Sequence, residues 1–212
     1  MSDRLSSSSY AVLGMLAIRP WTPYELTQQF VRSLAYCWPV SERQLYTEPE
    51  KLVAAGFATA RPIGPERRAR REYSITAEGR AELARWLGTA PAPPRVFSEP
   101  LLRVLFADQG EPADLLLALT TLRADIRQQM HTGRAQMLEY LDGRAPFPER
   151  THLVAMFADL TDRIFRVIDE WSDEALHEVA KWPTTNGLGM TRTAKRQLQA
   201  VTRPVDPEAR RS

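Results

Sequence analysis

Four arginines fall within six consecutive residues of this sequence, Glu66-Arg67-Arg68-Ala69-Arg70-Arg71. A guanidinium group keeps its charge at physiological pH and can form two parallel hydrogen bonds to a phosphate. A cluster of this kind neutralises phosphates and makes binding strongly dependent on salt. The segment therefore predicts contact with a nucleic-acid backbone through Arg67, Arg68, Arg70 and Arg71. The alternative is an ordinary solvated turn in which an arginine pairs with Glu72.

A second set of polar residues follows Ser41. Ser41 and Gln44 have the spacing of a capping box, which starts a helix, and Leu45 then falls on its apolar side. In the major groove of DNA, arginine can pair with guanine and glutamine with adenine. We therefore expect Arg43 to contact DNA, whereas Gln44 either pairs with a base or stays occupied by the cap. Tyr46 either contacts DNA or has a structural role. The candidate DNA-binding residues of this helix are Ser41, Glu42, Arg43, Gln44, Tyr46, Thr47 and Lys51.

Residue types used in catalysis and metal binding are few and scattered. The three histidines lie at isolated positions without the spacing of a zinc site, and none forms an obvious nucleophile arrangement with Cys37. Cys37 lies beside Trp38 and is expected to be a buried small side chain rather than a redox centre. The sequence has no glycine-rich phosphate loop and no His-Glu-x-x-His pair. We expect a protein that is not an enzyme and that binds neither a metal nor a cofactor.

Capping residues, glycines and strand-like runs divide the first part of the chain into short elements. We predict helices over Tyr10–Ile18 with Ser9 as its cap, over Pro23–Ser33 after Thr22, and from Ser41 to Gly56, then strands over Phe57–Ile63 and Arg70–Ile75, and a helix over Ala77–Leu87 after Thr76. This is the order of a winged helix-turn-helix, in which the third helix enters the major groove and the hairpin reaches the flanking backbone. The arginine cluster then lies at the tip of the hairpin, which is the wing.

Two features of this region need a separate interpretation. Pro49 lies inside the third helix, where proline removes a backbone hydrogen bond and costs about 3 kcal/mol. We expect a kink there, with Ser41–Thr47 reading the groove and Pro49–Ala55 forming a supporting turn. The hydroxyls of Ser6–Ser9 lie near the start of the first helix, which fits a phosphate site or simple capping equally well.

Beyond the prolines of residues 89–94, long helices dominate. A short apolar segment, Pro100–Ala107, comes first. The segments that begin at Pro112 and Pro148 carry apolar or small residues at spacings of three and four, which is typical of a helix that packs on another helix. The break at 142–148 predicts an antiparallel hairpin that buries only one side well, so we expect a homodimer. The two stripes are Leu115, Leu119, Leu122, Ile126, Gln129, Gly133 and Met137, and then Leu153, Phe157, Leu160, Ile164, Val167 and Trp171.

Charge divides the 212 residues into three parts, with net charges of +3 over 1–90, −5 over 91–182 and +4 over 183–212. The basic tail can form a short helix over Thr193–Val201, and it docks on the acidic part, contacts DNA or stays disordered. One cysteine, no signal pattern and no apolar run of membrane-spanning length predict a soluble cytoplasmic protein without a membrane partner.

The predicted fold is mainly α with a small β-hairpin wing. Its N-terminal winged helix-turn-helix domain is followed by a C-terminal domain of long antiparallel helices. The predicted domains are a DNA-binding domain over 1–88, a proline-rich linker over 89–98, a helical dimerisation domain over 99–182 and the basic tail over 183–212.

The order of motifs resembles that of the PadR family of bacterial transcriptional regulators over roughly residues 8–180. The most distinctive piece closes the wing: Arg71-Glu72-Tyr73-Ser74-Ile75-Thr76, followed by Gly79. The other matching pieces are Tyr10-Ala-Val-Leu-Gly14, Tyr24-Glu25-Leu26, Trp38, Leu45-Tyr46, Lys51-Leu52, Gly56-Phe57, Trp86-Leu87 and the run from Glu99 to Phe106. Pro23 stands where the family usually has glycine, and proline is well suited to the start of a helix.

The resemblance implies a homodimeric regulator, a repressor rather than an activator, that binds a roughly palindromic operator in double-stranded DNA. It also implies an aromatic or hydrophobic small molecule that relieves repression. Residues that either line such a ligand site, between domains or at the dimer seam, or simply belong to the core are Trp86, Phe97, Phe106, Phe157 and Trp171. The alternative function is a dimeric winged-helix adaptor without specific DNA binding, which the modest charge of the first 90 residues permits.

Overall fold

The computed structural model describes residues 5–65, 70–94 and 98–203, and the chain divides into two compact units, residues 1–94 and 95–212. The first unit contains α1 (Ser7–Ile18), α2 (Pro23–Ser33), α3 (Glu42–Ala54), β1 (Ala58–Ile63), β2 (Arg70–Ile75) and α4 (Ala77–Leu87). The second unit contains α5 (Glu99–Leu105), α6 (Pro112–Leu141), α7 (Thr151–Val179) and α8 (Arg192–Val201), with short 3-10 turns at Ala107–Gln109 and Pro148–Arg150. This mainly helical fold with one small hairpin confirms the predicted fold class. Three predicted site residues, Arg67, Arg68 and Phe97, lie outside the described residues.

Capping chemistry sets the helix boundaries of the first unit. Thr22 and Glu25 form a reciprocal capping box at the start of α2, and Ser41 and Gln44 do the same for α3. The hydroxyl of Thr76 caps α4. All three caps lie where the sequence predicts them, because each depends on residues only three positions apart.

The start of α1 differs from the prediction that Ser9 caps this helix. Ser6 is the cap, and its hydroxyl accepts a hydrogen bond from the backbone N–H of Ser9 at 3.1 Å. The hydroxyl of Ser9 instead donates to Oε2 of the buried Glu48 in α3, at 2.7 Å. The prediction was wrong because Ser6 supplies the same capping chemistry and Ser9 has a partner far away in the sequence.

The core of the first unit lies between α1, α2 and α3, and the hairpin is joined to it through Trp21. The backbone N–H and C=O of Trp21 pair with Tyr73 of β2, at 3.0 and 2.8 Å. The indole Nε1–H of Trp21 donates to the carbonyl of Met15 at 2.7 Å. The fully buried large side chains of this core are Leu13, Leu16, Leu26, Phe30, Leu45 and Leu52.

Helix α3 continues through Pro49, in contrast to the expected division at this residue. One helix runs from Glu42 to Ala54, and Pro49 is fully buried on the same face as Leu45 and Leu52. Proline removes a single N–H donor from the helix, and burial of its apolar ring in the core compensates for that loss. The surface of α3 is therefore carried by one continuous helix.

The segment between α2 and α3 lies at the surface. The indole Nε1–H of Trp38 donates to the hydroxyl of Ser8 at 3.1 Å. Tyr36 and Trp38 remain 43% and 41% exposed, and Cys37 between them is exposed as well. The prediction that Cys37 is buried was therefore wrong, because this segment follows the surface and does not enter the core.

In the second unit, α6 and α7 run antiparallel. Arg127 pairs with Asp169 at 2.7 Å, and the earlier Arg123 pairs with the later Asp173 at 2.6 Å. A small apolar cluster stabilises the end of the hairpin where α6 begins; its buried members are Leu115, Leu119 and Val179. Within the described ranges, no helix is long and apolar enough to cross a membrane.

The predicted apolar stripe of α7 does not pack along its length on α6. Near the end of the helix, Trp171 packs against the cluster of Leu115 and Leu119. The other residues of the stripe are between 40% and 64% exposed: Leu153, Phe157, Leu160, Ile164 and Val167. The neighbouring Met156 is 71% exposed. Monomeric proteins rarely leave a contiguous apolar surface of this kind uncovered.

Gly79 explains why the Thr-x-x-Gly element follows the wing. A methyl group at this position would lie 2.1 Å from the backbone carbonyl oxygen of Phe57 and 2.9 Å from a side-chain carbon of Ile75. The first turn of α4 therefore approaches the start of the hairpin too closely for any side chain. In contrast, a methyl group at Gly14 of α1 would meet no atom within 4 Å.

We expect Gly79→Ala to lower the free energy of unfolding by about 1–3 kcal/mol or more, because backbone must move to relieve the overlap. The matched control is Gly14→Ala, which we expect to stabilise α1 by up to about 1 kcal/mol through helix propensity. Urea unfolding followed by circular dichroism measures both. An equal effect of the two substitutions would contradict this account of the element.

Candidate nucleic-acid interface

The outer face of α3 carries the predicted DNA-binding residues. Its inner face is buried through Leu45, Glu48, Pro49 and Leu52. All seven residues predicted to contact DNA are exposed: Ser41, Glu42, Arg43, Gln44, Tyr46, Thr47 and Lys51. The structure thus leaves this face free of the protein core, and contact with DNA stays a prediction.

Some of these exposed side chains already form hydrogen bonds within the protein, and others do not. The carbonyl oxygen of Gln44 accepts from the backbone N–H of Ser41 at 3.1 Å, so Gln44 is occupied by the cap. The ammonium group of Lys51 donates to Glu48. Arg43 has no hydrogen bond or ion pair with any residue that the structure describes. Arg43 is therefore the cation of α3 whose donors are all available for a ligand, whereas Lys51 uses one of its three on Glu48.

The wing, α3 and the start of α2 converge on one exposed groove of about 510 Å³. Arg70 and Arg71 of β2 line it opposite Tyr46 of α3, and the residues at the start of α2 complete it: Thr22, Pro23 and Tyr24. The start of a helix carries partial positive charge, which favours anions. Tyr24, which is 62% exposed, was not among the predicted site residues, although it belongs to the Tyr24-Glu25-Leu26 piece that resembles the family.

Glu50 joins α3 to the wing. Its Oε1 accepts hydrogen bonds from the hydroxyl of Tyr73 at 2.6 Å and from a guanidinium nitrogen of Arg71 at 2.5 Å. These two hydrogen bonds hold the pKa of the Glu50 carboxyl below its usual value. The sequence analysis missed this residue, although Glu50 lies one helical turn after Tyr46 and so shares its face.

Among the described residues, Glu72 does not form the alternative pair with the arginine cluster. Glu72 lies opposite Arg61 in the antiparallel register of the hairpin, and its carboxylate accepts from Nε of Arg61 at 2.7 Å. Directly opposite cross-strand neighbours lie on one face of the hairpin, whereas successive residues of one strand point to opposite faces. Arg71 is consequently free to pair with Glu50 of α3.

Three of the four serines at positions 6–9 use their hydroxyls within the protein. Ser6 caps α1, Ser9 donates to Glu48, and the hydroxyl of Ser8 accepts from Trp38. Of the two alternatives left open by the sequence, capping and packing account for these hydroxyls. The Ser9–Glu48 hydrogen bond also fixes α3 against α1.

The residues predicted to line a ligand site have different surroundings. Trp86 in α4 stacks on Tyr10 with ring centroids 4.8 Å apart. Trp171 packs on the apolar cluster of the second unit, whereas Phe106 and Phe157 are 60% and 40% exposed. A role in ligand binding stays a prediction for each of them. No group of three or more His, Cys, Asp or Glu side chains that could hold a metal ion occurs among the described residues.

Comparison with known proteins confirms the resemblance seen in the sequence. Residues 12–85 match the family described as the transcriptional regulator PadR-like family. The negative transcriptional regulator PadR of Bacillus subtilis is 33% identical over 99 residues, which are 46% of this chain and 54% of the relative. The chain therefore matches about half the length of that relative. A probable transcriptional regulator of Mycobacterium tuberculosis is 28% identical over 136 residues, 59% of this chain and 72% of the relative.

The fold is shared over a larger part of the chain. The crystal structure of Bacillus subtilis PadR in complex with operator DNA aligns with a TM-score of 0.65 and 22% identity, covering 82% of this chain and 99% of that one. A crystal structure of the same bacterial protein in complex with p-coumaric acid aligns with a TM-score of 0.59, again at 22% identity, covering 82% and 98%. At this identity the likeness shows the fold, in both its winged-helix and its helical parts.

We expect Glu50→Gln to destabilise the first unit slightly at pH 7, by less than about 1 kcal/mol because Glu50 is 49% exposed. A folded-state pKa below the usual value means that the ionised carboxylate stabilises the fold above that value. The contribution is lost as the pH falls through the lowered pKa. The difference between wild type and variant should therefore shrink as the pH falls below about 4.5.

Urea unfolding at neutral and acidic pH, carried out on both proteins, measures this difference. The wild type also loses stability in acid through its other carboxylates, so only the difference from Glu50→Gln is informative. A difference that grows on acidification would refute the assignment of the lowered pKa to Glu50.

Proposed function

We propose that this chain, whose first unit matches the PadR-like family, is a DNA-binding transcriptional regulator that acts as a homodimer. The observation that carries the proposal is the convergence of Tyr46 from α3 with Arg70 and Arg71 from the wing on one exposed groove. In a winged helix-turn-helix, the third helix enters the major groove and the wing lies along the phosphate backbone. The arrangement of this unit supplies both contacts.

The side chains of α3 and the wing take different roles in this proposal. Arg43 reads a base, since its guanidinium has no partner among the described residues and can pair with guanine. The remaining exposed side chains of α3 contribute base or backbone contacts: Ser41, Glu42, Gln44, Tyr46, Thr47 and Lys51. The wing arginines neutralise phosphates without reading sequence: Arg67, Arg68, Arg70 and Arg71.

Repression and its relief by a small molecule are supported by the relatives. The Bacillus subtilis relative is a negative regulator, and its crystal structures include complexes with operator DNA and with p-coumaric acid. We infer that this chain is likewise a repressor and that an aromatic or hydrophobic small molecule is its effector. An effector acts only to the extent that it binds one conformation better than the other. The candidate ligand-site residues remain Trp86, Phe97, Phe106, Phe157 and Trp171.

The second unit supplies the homodimer contact through the exposed stripe of α7. Leu160 and Ile164 lie near its middle and are 59% and 43% exposed. Burying apolar area of this kind against a second copy releases about 25 cal/mol per Å². Two winged helices held in this way address half-sites about one helical turn apart, so the operator is roughly palindromic.

We expect Arg43→Ala to reduce the preference for the native duplex over a scrambled one by about 5- to 150-fold, equal to about 1–3 kcal/mol. The double variant Arg70→Ala with Arg71→Ala should weaken binding to both duplexes. It should also flatten the dependence of log Kobs on log salt by about 1.8, since each phosphate contact contributes about 0.9. Fluorescence anisotropy with the duplex upstream of the gene, at three salt concentrations, measures all of these values.

Arg144→Ala serves as the matched control, because Arg144 pairs locally with Asp142 in the second unit. It should leave the affinity and the salt dependence close to those of the wild type. Unchanged binding by the Arg70 and Arg71 variant at moderate salt would overturn the assignment of the wing. Equal binding of wild type to both duplexes would favour the adaptor without specific recognition.

We expect Leu160→Glu with Ile164→Glu to convert the dimer to monomers, because four buried charges at a symmetric contact are strongly unfavourable. Sedimentation velocity over a range of concentrations measures the change. Met190→Glu is the control, since Met190 is also exposed, at 69%, but belongs to the segment between α7 and α8 rather than to the stripe. A double variant that remains dimeric would exclude the α7 stripe from the interface.

A further inference from the structure

Helix α8 carries a stripe of positive charge that the proposed function leaves unused. Arg192, Lys195 and Arg196 lie within one turn of α8, where residues three and four positions apart share a face, and Arg203 follows the end of the helix. Each is exposed, and there is no acidic residue in α8. Over this length a helix rises about 16 Å. The charges thus form one continuous cationic edge.

These four cations are unpaired, unlike many arginines of the same unit. None of them forms an ion pair with any residue in the described parts of the chain. Arg196 lines a groove with Asp173 and Glu174 of α7 without forming an ion pair there. The edge therefore presents positive charge that the protein itself does not neutralise.

The opposite side of α8 faces its own unit. The hydroxyl of Thr193 donates to Oε2 of Glu178 in α7 at 3.0 Å, and Thr193 and Ala194 are partly buried. On a helical wheel Ala194 lies opposite the cationic edge. Arg196 lies beside the groove that α8 forms with α7, whereas Arg192 and Lys195 lie farther round the helix.

Several carboxylates that a second copy of this chain would offer to the edge are already paired with arginines of their own unit. Along α7, Asp159 pairs with Arg163 at 3.0 Å and Asp162 with Arg166 at 2.7 Å. Asp169 pairs with Arg127 of α6. Several carboxylates of the acidic second unit are thus neutralised locally. The duplex bound by the winged helix is in contrast a polyanion with one charge per about 1.7 Å of its axis.

We infer that α8 is a second DNA-binding element, which contacts the phosphate backbone without reading sequence. The inference takes DNA as the ligand from the proposed function, but it depends on different residues. It assigns to Arg192, Lys195, Arg196 and Arg203 a share of affinity that is independent of the winged helix. Its expected signature is a contribution to the salt dependence on any long duplex, specific or scrambled.

The test compares two triple variants of the full-length protein. The first is Arg192→Gln with Lys195→Gln and Arg196→Gln. The matched control, Arg144→Gln with Arg163→Gln and Arg166→Gln, removes the same charge from exposed arginines of the same unit that are paired with aspartates. Anisotropy titrations with long native and scrambled duplexes at three salt concentrations give affinity and salt dependence. Sedimentation velocity and circular dichroism check assembly and folding.

We expect the α8 variant to bind both duplexes at least about tenfold more weakly and to flatten the salt dependence by about 2.7, for three contacts of about 0.9 each. The control should change neither value to this extent. An unchanged salt dependence of the α8 variant, or an equal loss in the control, would overturn the inference. A shift from dimer to monomer with an unchanged salt dependence would overturn it in favour of contact with a second copy.

The same titrations separate this inference from the proposed function. If Arg43→Ala leaves the preference for the native duplex unchanged while the α8 variant weakens binding, the base-reading role of α3 fails and the role of α8 stands. If Arg43→Ala abolishes the preference and the α8 variant binds like the wild type, the proposed function stands and the role of α8 fails.

Discussion

The buried carboxyl group of Glu48 is the constraint on which the candidate DNA-binding surface depends. Glu48 is only 3% exposed, and a buried carboxyl group without partners is strongly unfavourable. It is satisfied by the hydroxyl of Ser9 from α1 and by Lys51 from α3 itself. Rotation of α3 about its axis, or a shift along α1, would break these hydrogen bonds and expose the apolar residues beside them. The register of α3 against α1 therefore determines which side chains, Arg43 included, face outward.

The wing is fixed to the opposite face of the same helix. Glu50 lies two residues after Glu48 and accepts from Tyr73 and Arg71 of β2, while the backbone of Tyr73 pairs with Trp21. The buried Glu48 thus holds α3 against α1, and the exposed Glu50 holds α3 against the hairpin. Preorganisation of this kind reduces the conformational freedom lost when a surface binds its partner. The exposed Glu50 contacts contribute more to position than to stability.

The elements of both units could be predicted because their signals are local. Thr22, Ser41 and Thr76 each cap a helix through a residue three positions later. The contacts that lock the candidate site join distant positions, 39 residues apart for Ser9 and Glu48 and 23 for Glu50 and Tyr73, and no periodicity reveals such pairs. Apolar spacing in α7 likewise predicts that the helix packs, without indicating whether the partner is α6 or another chain.

Local pairing of charge makes the proposed binding of a polyanion compatible with a nearly neutral protein. The net charge is only +2, and the acidic second unit at first argues against DNA as its partner. Exposed pairs such as Arg163 with Asp159 contribute little to stability, but they cancel each other at a distance. The field around the protein then depends mainly on unpaired cations, which include Arg43 of α3, Arg70 of the wing and the edge of α8. The proposed DNA contacts therefore rest on the distribution of unpaired charge rather than on the charge sum of a domain.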